Sequence, residues 1–338
     1  MMHVHVTVAM CALAALLPLA TPIDAQVPTA PELPAGLVER PITVSGPVPL
    51  PGTLTMPAGA GPFPGVVLVH GSGAGDRDET VGGNKTFRDI AWGLASRGIV
   101  VLRYDKRSNV SPAWFMKPGF TVNDETIDDA VSALALLREQ PAVNKARTFV
   151  LGHSLGGMLA PRIAKADGKV AGLIIMAGAT QLNLGEQMAR QYDYIISISG
   201  ADSDKVRKAV EPVRPAIARI RALTAADSAD TKPIPGMGGT SPRYWVDLAT
   251  PSPAQVMREI QRPALVLQGM RDYQVAPDQL DTWLAVVGPR KNLTVIRYPS
   301  LTHLFTSGEG TPRPQEYSTP KLVDPQVTID IADFIRKH

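Results

Sequence analysis

Four short segments of this chain carry continuous apolar runs: "GVVLVHG" (65–71), "GIVVLRYD" (98–105), "RTFVLG" (147–152) and "VAGLIIMAG" (170–178). A strand that is apolar throughout has no face to offer water. It belongs to a sheet covered on both sides, and strands joined through helices run parallel. The stretches between them read as those helices, at 86–97, 124–139 and 155–166. The second carries Ile127, Val131, Leu134 and Leu137 on one face. The alternation resumes with "PALVLQG" (263–269), a helix after Pro277, "NLTVIRYP" (292–299) and a last helix from about Pro325. Ahead of it, "ITVSGPVPLPGTLTMP" (42–57) alternates apolar and polar residues and breaks at Gly46 and Gly52, which predicts two short antiparallel strands. The fold class is α/β, with a mostly parallel central sheet and helices on both faces. Residues 180–258 interrupt the pattern. They combine helical periodicity (Val206, Val210, Val213, Ile217, Ile220) with a flexible "PIPGMGGTSP" at 233–242.

The 338 residues, 44% of them hydrophobic, suffice for one large domain. Net charge is only +3 and the basic residues are scattered, so no strong field draws nucleic acid or anionic lipid. "VTVAMCALAALLPLATPIDA" (6–25) has the apolar run and small-residue exit of a secretory signal peptide, although no Lys or Arg precedes it. The expected organisation is a signal peptide at 1–25 cut before Gln26, an extended Pro- and Ala-rich arm at 26–41, and the folded domain at 42–338. Pro18 leaves too short a run for a span of about 20 residues. The mature chain is therefore expected to be periplasmic or secreted, without stable membrane insertion. Cys11, the only cysteine, falls in the signal segment, so disulfides and thiol chemistry are not expected after cleavage. No His, Asp and Glu cluster has metal-ligand spacing, and neither metal nor cofactor is expected.

"LGHSLGGM" (151–158) places one serine between a buried strand and a helix, in the pattern Gly-x-Ser-x-Gly. A turn this sharp strains the serine, and side chains at the flanking positions would collide with the neighbouring strand and helix. A glycine-rich turn with an incidental serine is the plain alternative, and context decides against it. The helix N-terminus after Ser154 favours developing negative charge.

A serine nucleophile needs a base. Of six histidines, His3 and His5 belong to the signal segment and His338 is terminal. His153 adjoins the serine and is expected to project away from it, and His70 ends the first central strand. His303, on the loop after the last strand, remains. The acid that fixes its tautomer is read as Asp272, just after a strand; Asp278 and Asp281 are rivals placed on the following helix. Backbone donors for an oxyanion are expected at Leu155 and, in "HGSGAG" (70–75), at Ser72 with Gly73 second. The same glycines are neither a P-loop nor a dinucleotide fingerprint. Asp76, Arg77 and Asp78 are expected to shape that loop through ion pairs, and Arg103, Asp105 and Arg107 to form one cluster at a strand end. Tyr244 and Trp245 either line an acyl pocket or pack the cap.

"HGSGAGDRDE" (70–79), "LASRGIVVLRYDKR" (94–107), "GHSLGG" (152–157), "LQGMRDYQV" (267–275) and "HLF" (303–305) together resemble the α/β-hydrolases of bacterial carboxylesterase type. They are similar to the branch named for acyl-CoA thioester hydrolase and bile-acid acyltransferase C-terminal domains. Ser108 departs from the glycine that many branch members carry after "YDKR". The resemblance implies Ser154, Asp272 and His303 acting as a triad, no cofactor, and a helical cap inserted after the sixth strand, which residues 180–258 fit. The expected activity is hydrolysis of small-molecule, short-acyl esters. A peptidase, amidase or thioesterase on the same triad and a silent binding module are the alternatives.

Overall fold

Alternation inside each buried strand divides the core in two. The computed structural model describes residues 32–338, save the side chains of Phe115 and Met116. The expected signal peptide and the first residues of the arm lie outside the described residues. Eight strands form one sheet: β1 Leu37–Val44, β2 Leu50–Pro57, β3 Phe63–Val69, β4 Val100–Tyr104, β5 Val143–His153, β6 Gly172–Met176, β7 Ala264–Gly269 and β8 Leu293–Tyr298. Their spatial order is β1-β2-β4-β3-β5-β6-β7-β8, and β2 alone runs against the rest. Along β3, Val67 and Val69 face one core while Val66 and Leu68 face the other. The first core takes α2 (Asp128–Arg138), α3 (Leu155–Asp167) and the cap; the second takes α1 (Thr86–Ala95) and α10 (Pro325–Lys337). The long apolar strands of the sequence are thus buried on both faces, as covered parallel strands must be.

Local chemistry sets the helix ends. Gly168 closes α3 at a left-handed φ of 69°. At α10, Asp324 accepts from Gln326 N at 2.9 Å and Pro325 takes the first helical position, where its missing N–H costs nothing. The antiparallel pair starts earlier than expected, at Leu37, so the end of the predicted arm is edge strand; Pro41 is tolerated there because an edge strand need not donate on its outer side.

Between β6 and β7 lie five helices: α4 Leu184–Ile198, α5 Ser203–Val210, α6 Arg214–Arg221, α7 Pro242–Ala249 and α8 Pro253–Glu259. They dock on the sheet's loops through side chains. Gln191 Nε2 donates to Gln274 O at 2.7 Å, and Arg162 on α3 donates to the carbonyl and carboxylate of Asp247. In "GMGG", Met237 is fully buried, which pins this turn to the core. α9 (Pro277–Val287) follows β7. Among the described residues no helix is long and apolar enough to cross a membrane.

Candidate active site

Ser154 sits where β5 ends and α3 begins, at φ 52° and ψ −116°. That backbone is unfavourable for any residue with a Cβ. Two glycines make room for it. A Cβ on Gly152 would strike the backbone of Gly156, and one on Gly156 would strike Val69 O. The turn is closed by Ser154 N donating to Met176 O at 2.8 Å. Leu155 opens α3, so its N–H has no partner inside the helix.

Asp272 follows β7, and His303 lies on the loop after β8. His303 Nδ1 donates to Asp272 Oδ2 at 2.6 Å, and both residues are buried. The other oxygen of Asp272 accepts from Gln274 N at 2.8 Å and Val275 N at 2.9 Å, so the loop's own backbone fixes the carboxylate. Asp278 and Asp281 instead hold Arg190 and Arg297 at the surface.

The loop 70–75 is gripped from both sides. Lys106 Nζ donates to Gly71 O at 2.9 Å, Ser108 Oγ to Gly73 O at 3.3 Å, and Lys106 N to Gly75 O at 2.9 Å. Carbonyl and N–H of one trans peptide point in opposite directions. Lys106 therefore turns the Ser72 N–H away from itself, and the Ser108 that departs from the branch pattern serves the same loop. Gly71 N donates to Glu79 Oε1 at 2.7 Å. His70, buried between Phe87 and Tyr104, donates from Nε2 to Asp76 O at 2.8 Å. Burial, with Lys106 nearby, holds its pKa below the usual histidine value and keeps it neutral.

Three buried groups on this wall were not singled out by sequence reasoning. Lys106 pairs with Glu125 at 2.7 Å, and Glu125 Oε2 accepts from Tyr244 OH at 2.5 Å. Glu79 Oε2 lies 2.9 Å from His153 Nδ1, while His153 Nε2 lies 2.9 Å from His303 O. The His153 ring does not simply project away: it packs 4.7 Å from the His303 ring. One signal was present, namely charged residues directly after an all-apolar strand in "VVLRYDKR". The expected cluster of Arg103, Asp105 and Arg107 resolves into separate pairings. Arg103 meets Glu39 and Asp78, Asp105 meets Arg77, and Arg107 meets Asp129 at 2.5 Å. Asp76 accepts from Thr80 N and Oγ1, and Asp78 also pairs with Lys85.

Tyr244 and Trp245 are buried. Tyr244 stacks on Phe120, and Trp245 Nε1 donates to Thr240 Oγ1 at 3.0 Å. A cleft of about 520 Å³ opens between α4 and the 270–279 loop, lined in part by Gln187, Tyr194, Asp272, Tyr273 and Gln274; Ser154 is not among its lining residues. Among the described residues no group of three His, Cys, Asp or Glu could hold a metal ion.

Residues 66–319 match the model of the alpha/beta hydrolase family. The chain belongs to that family. This hydrolase is 39% identical over 307 residues to Esterase EstD of Thermotoga maritima, an alignment covering 90% of this chain and 69% of that protein. Its fold is shared with solved structures at low identity. The Pyrococcus furiosus esterase Pf2001 superposes with a TM-score of 0.56 at 16% identity, covering 89% of this chain and 91% of that one. The esterase of Pyrobaculum calidifontis gives 0.55 at 19% identity, covering 89% and 85%.

Proposed function

We propose that this hydrolase is a serine carboxylesterase, acting on small esters through Ser154, His303 and Asp272. The observation that carries the reading is the 2.6 Å contact of His303 with Asp272, the His303 ring lying 4.7 Å from that of His153, whose chain neighbour Ser154 is held in a strained strand-to-helix turn. An acid on Nδ1 leaves Nε2 as the basic nitrogen. In this mechanism His303 takes the Ser154 hydroxyl proton as Oγ attacks the ester carbonyl. The N–H groups of Leu155 and Ser72, with Gly73 second, receive the oxyanion. His303 protonates the leaving alcohol and then takes a proton from water, which releases the acid and restores the serine. Nothing in these steps calls for a cofactor. Kinship with Esterase EstD supports ester bonds over amides or thioesters.

The bulky cap residues Met188, Tyr192, Tyr244 and Trp245 are all buried, which supports a short acyl site over a long groove. Short-acyl preference and export with Gln26 at the mature N-terminus complete the reading. The decisive test is kcat/KM over p-nitrophenyl esters of rising chain length, with a fluorophosphonate probe to locate the nucleophile. Labelling at Ser154 and a maximum at acetyl to butyryl are expected. Labelling at another serine overturns the triad, and a maximum at decanoyl or beyond overturns the acyl preference. Mass spectrometry of protein recovered outside the cytoplasm of a bacterial host tests the N-terminus, since an intact Met1 in membranes would contradict export.

A further inference from the structure

His153 is boxed by oxygen. Its two ring nitrogens face two acceptors, Glu79 Oε2 and His303 O, each at 2.9 Å, and the residue is only 3% exposed. A neutral imidazole has one N–H and one lone pair. Opposite an ionised Glu79, either neutral tautomer would press a lone pair against an oxygen. Beside that carboxylate only the imidazolium, with two N–H donors, suits both neighbours. We propose that His153 is a positioning residue, held as an imidazolium by Glu79, that ties the backbone of the base His303 to the oxyanion loop. The inference rests on the triad proposed above.

The tie runs through two hydrogen bonds and one ion-pair contact, the facing atoms of Glu79 and His153 being close but not aligned as a hydrogen bond. Gly71 N–H donates to Glu79 Oε1, Glu79 Oε2 meets His153 Nδ1, and His153 Nε2 donates to the carbonyl of His303. His303 is then anchored twice, through its ring by Asp272 and through its backbone by His153. The turn that carries His303 is closed by Thr302 N on Thr306 O at 3.0 Å, and the bond from His153 adds a side-chain hold on the His303 carbonyl itself, which sharpens the aim of Nε2. The same Glu79 carboxylate grips the loop that supplies Ser72 and Gly73.

The charges around His153 agree. Glu79 and Asp272 bring negative charge from the oxyanion and acid loops, and the base loop brings the His303 carbonyl, the His303 ring and the edge of Phe305. Glu79 is itself faced by His70, which burial keeps neutral. Lys106, across Gly71, is matched by Glu125. Burial opposes the charge on His153, but the Glu79 carboxylate and the two contacts outweigh it and its pKa is raised. Burial likewise opposes ionisation of Glu79, and His153 reverses that, so its pKa is lowered.

The test reads the proton directly. Nitrogen-15 spectra of selectively labelled histidines, at about pH 8 and above the ordinary histidine pKa of about 6.5, should show His153 with both ring nitrogens protonated. The signal is assigned by its disappearance in His153→Gln, or by its displacement in Glu79→Gln should that variant fold poorly. A neutral His153 overturns the proposal whatever the fate of the triad. In kinetics, His153→Leu should lower kcat by about 100-fold with KM unchanged, the scale expected when a reacting group is misplaced by an ångström. His153→Gln, which keeps an uncharged donor near the former Nε2, should recover much of that loss. The wild-type rate should fall on the alkaline side as His153 loses its proton, and Glu79→Gln should move that limb to lower pH. A Glu79→Gln profile superimposable on wild type, or full kcat in a folded His153→Leu, sinks the idea. Activity surviving in Ser154→Ala would instead remove the triad and leave the imidazolium spectrum untouched.

Discussion

The wall behind the 70–75 loop and the cap use the same residue types to opposite ends. At the wall the ion pairs are buried: side chains of Lys106 and Glu125 are 2% and 1% exposed, and Arg107 and Asp129 both 2%. In the cap they lie in water, as with Arg207 and Asp204 at 55% and 81%, or Arg221 and Glu186 at 61% and 33%. A buried pair adds little net stability over an apolar pair of the same shape, yet removing one partner strands the other. An exposed pair is worth little either way. The charge on Lys106 is explained by what it holds, the peptides of Gly71 to Gly75, whereas the cap's charges only keep its surface wet.

The largest effect expected on the site side is chemical. Ser154→Ala should lower kcat on the order of 10⁶-fold, and His303→Ala comparably, with the fold intact by circular dichroism. Asp272→Asn should lose about 10⁴-fold, because the tautomer is no longer fixed. Near wild-type rates in Asp272→Asn with an inactive Asp278→Asn would move the acid to the other side of the comparison.

Next comes Lys106→Met. It leaves Glu125 buried and unpaired and frees the Gly71 carbonyl. We expect a stability loss of about 3–5 kcal/mol by urea denaturation. Under the proposed mechanism kcat also falls by about 10²–10³-fold, the usual cost of one oxyanion donor. An unchanged urea midpoint would show that the wall's charges are no different from the cap's.

A smaller effect separates the regions by pH. Glu79 has a lowered pKa, so its contribution is present above about 4.5, the unfolded value, and disappears as pH falls through the folded one. His153 has a raised pKa, so its contribution is present below about 6.5 and disappears as pH rises through the folded one. Their joint stabilisation is fullest between those limits. Urea midpoints against pH should show that plateau in the wild type and lose it in the Glu79→Gln, His153→Gln double variant. Smallest of all, Arg207→Ala should change stability by less than about 1 kcal/mol and leave kcat/KM alone.

The comparison also explains what was legible in the sequence. Ser154 stands directly after a strand and Asp272 and His303 lie on loops that follow strands, so chain position together with elimination among the histidines pointed to the pair Asp272–His303 that the structure brings together. Lys106 sits in "RYDKR" and Glu125 in "NDETIDD", stretches that look solvated. Their burial arises only when β4 and the turn before α2 are packed against the 70–79 loop, and no local pattern encodes that meeting. His153 adjoins Ser154, and that position alone predicts a ring projecting away. Its meeting with the loop that carries His303, 150 residues on, has no local signature. The boundary of β1 was missed because Pro41 resembles linker, and only pairing with β2 reveals an edge strand.

Under the proposed mechanism, the backbone at Ser154 sets activity against endurance. A non-glycine residue at such angles costs on the order of 1–3 kcal/mol, which the surrounding sheet and helix must sustain. Glycine would make the same turn with no Cβ to crowd, so an inert Ser154→Gly chain should outlast the active one on heating. Under mild denaturant the order of loss follows the same logic. The elbow depends on the bond from Ser154 to Met176 and on the close seat of Gly156 under Val69. Any loosening there lets residue 154 relax into ordinary backbone, and catalysis should fade while the sheet still stands.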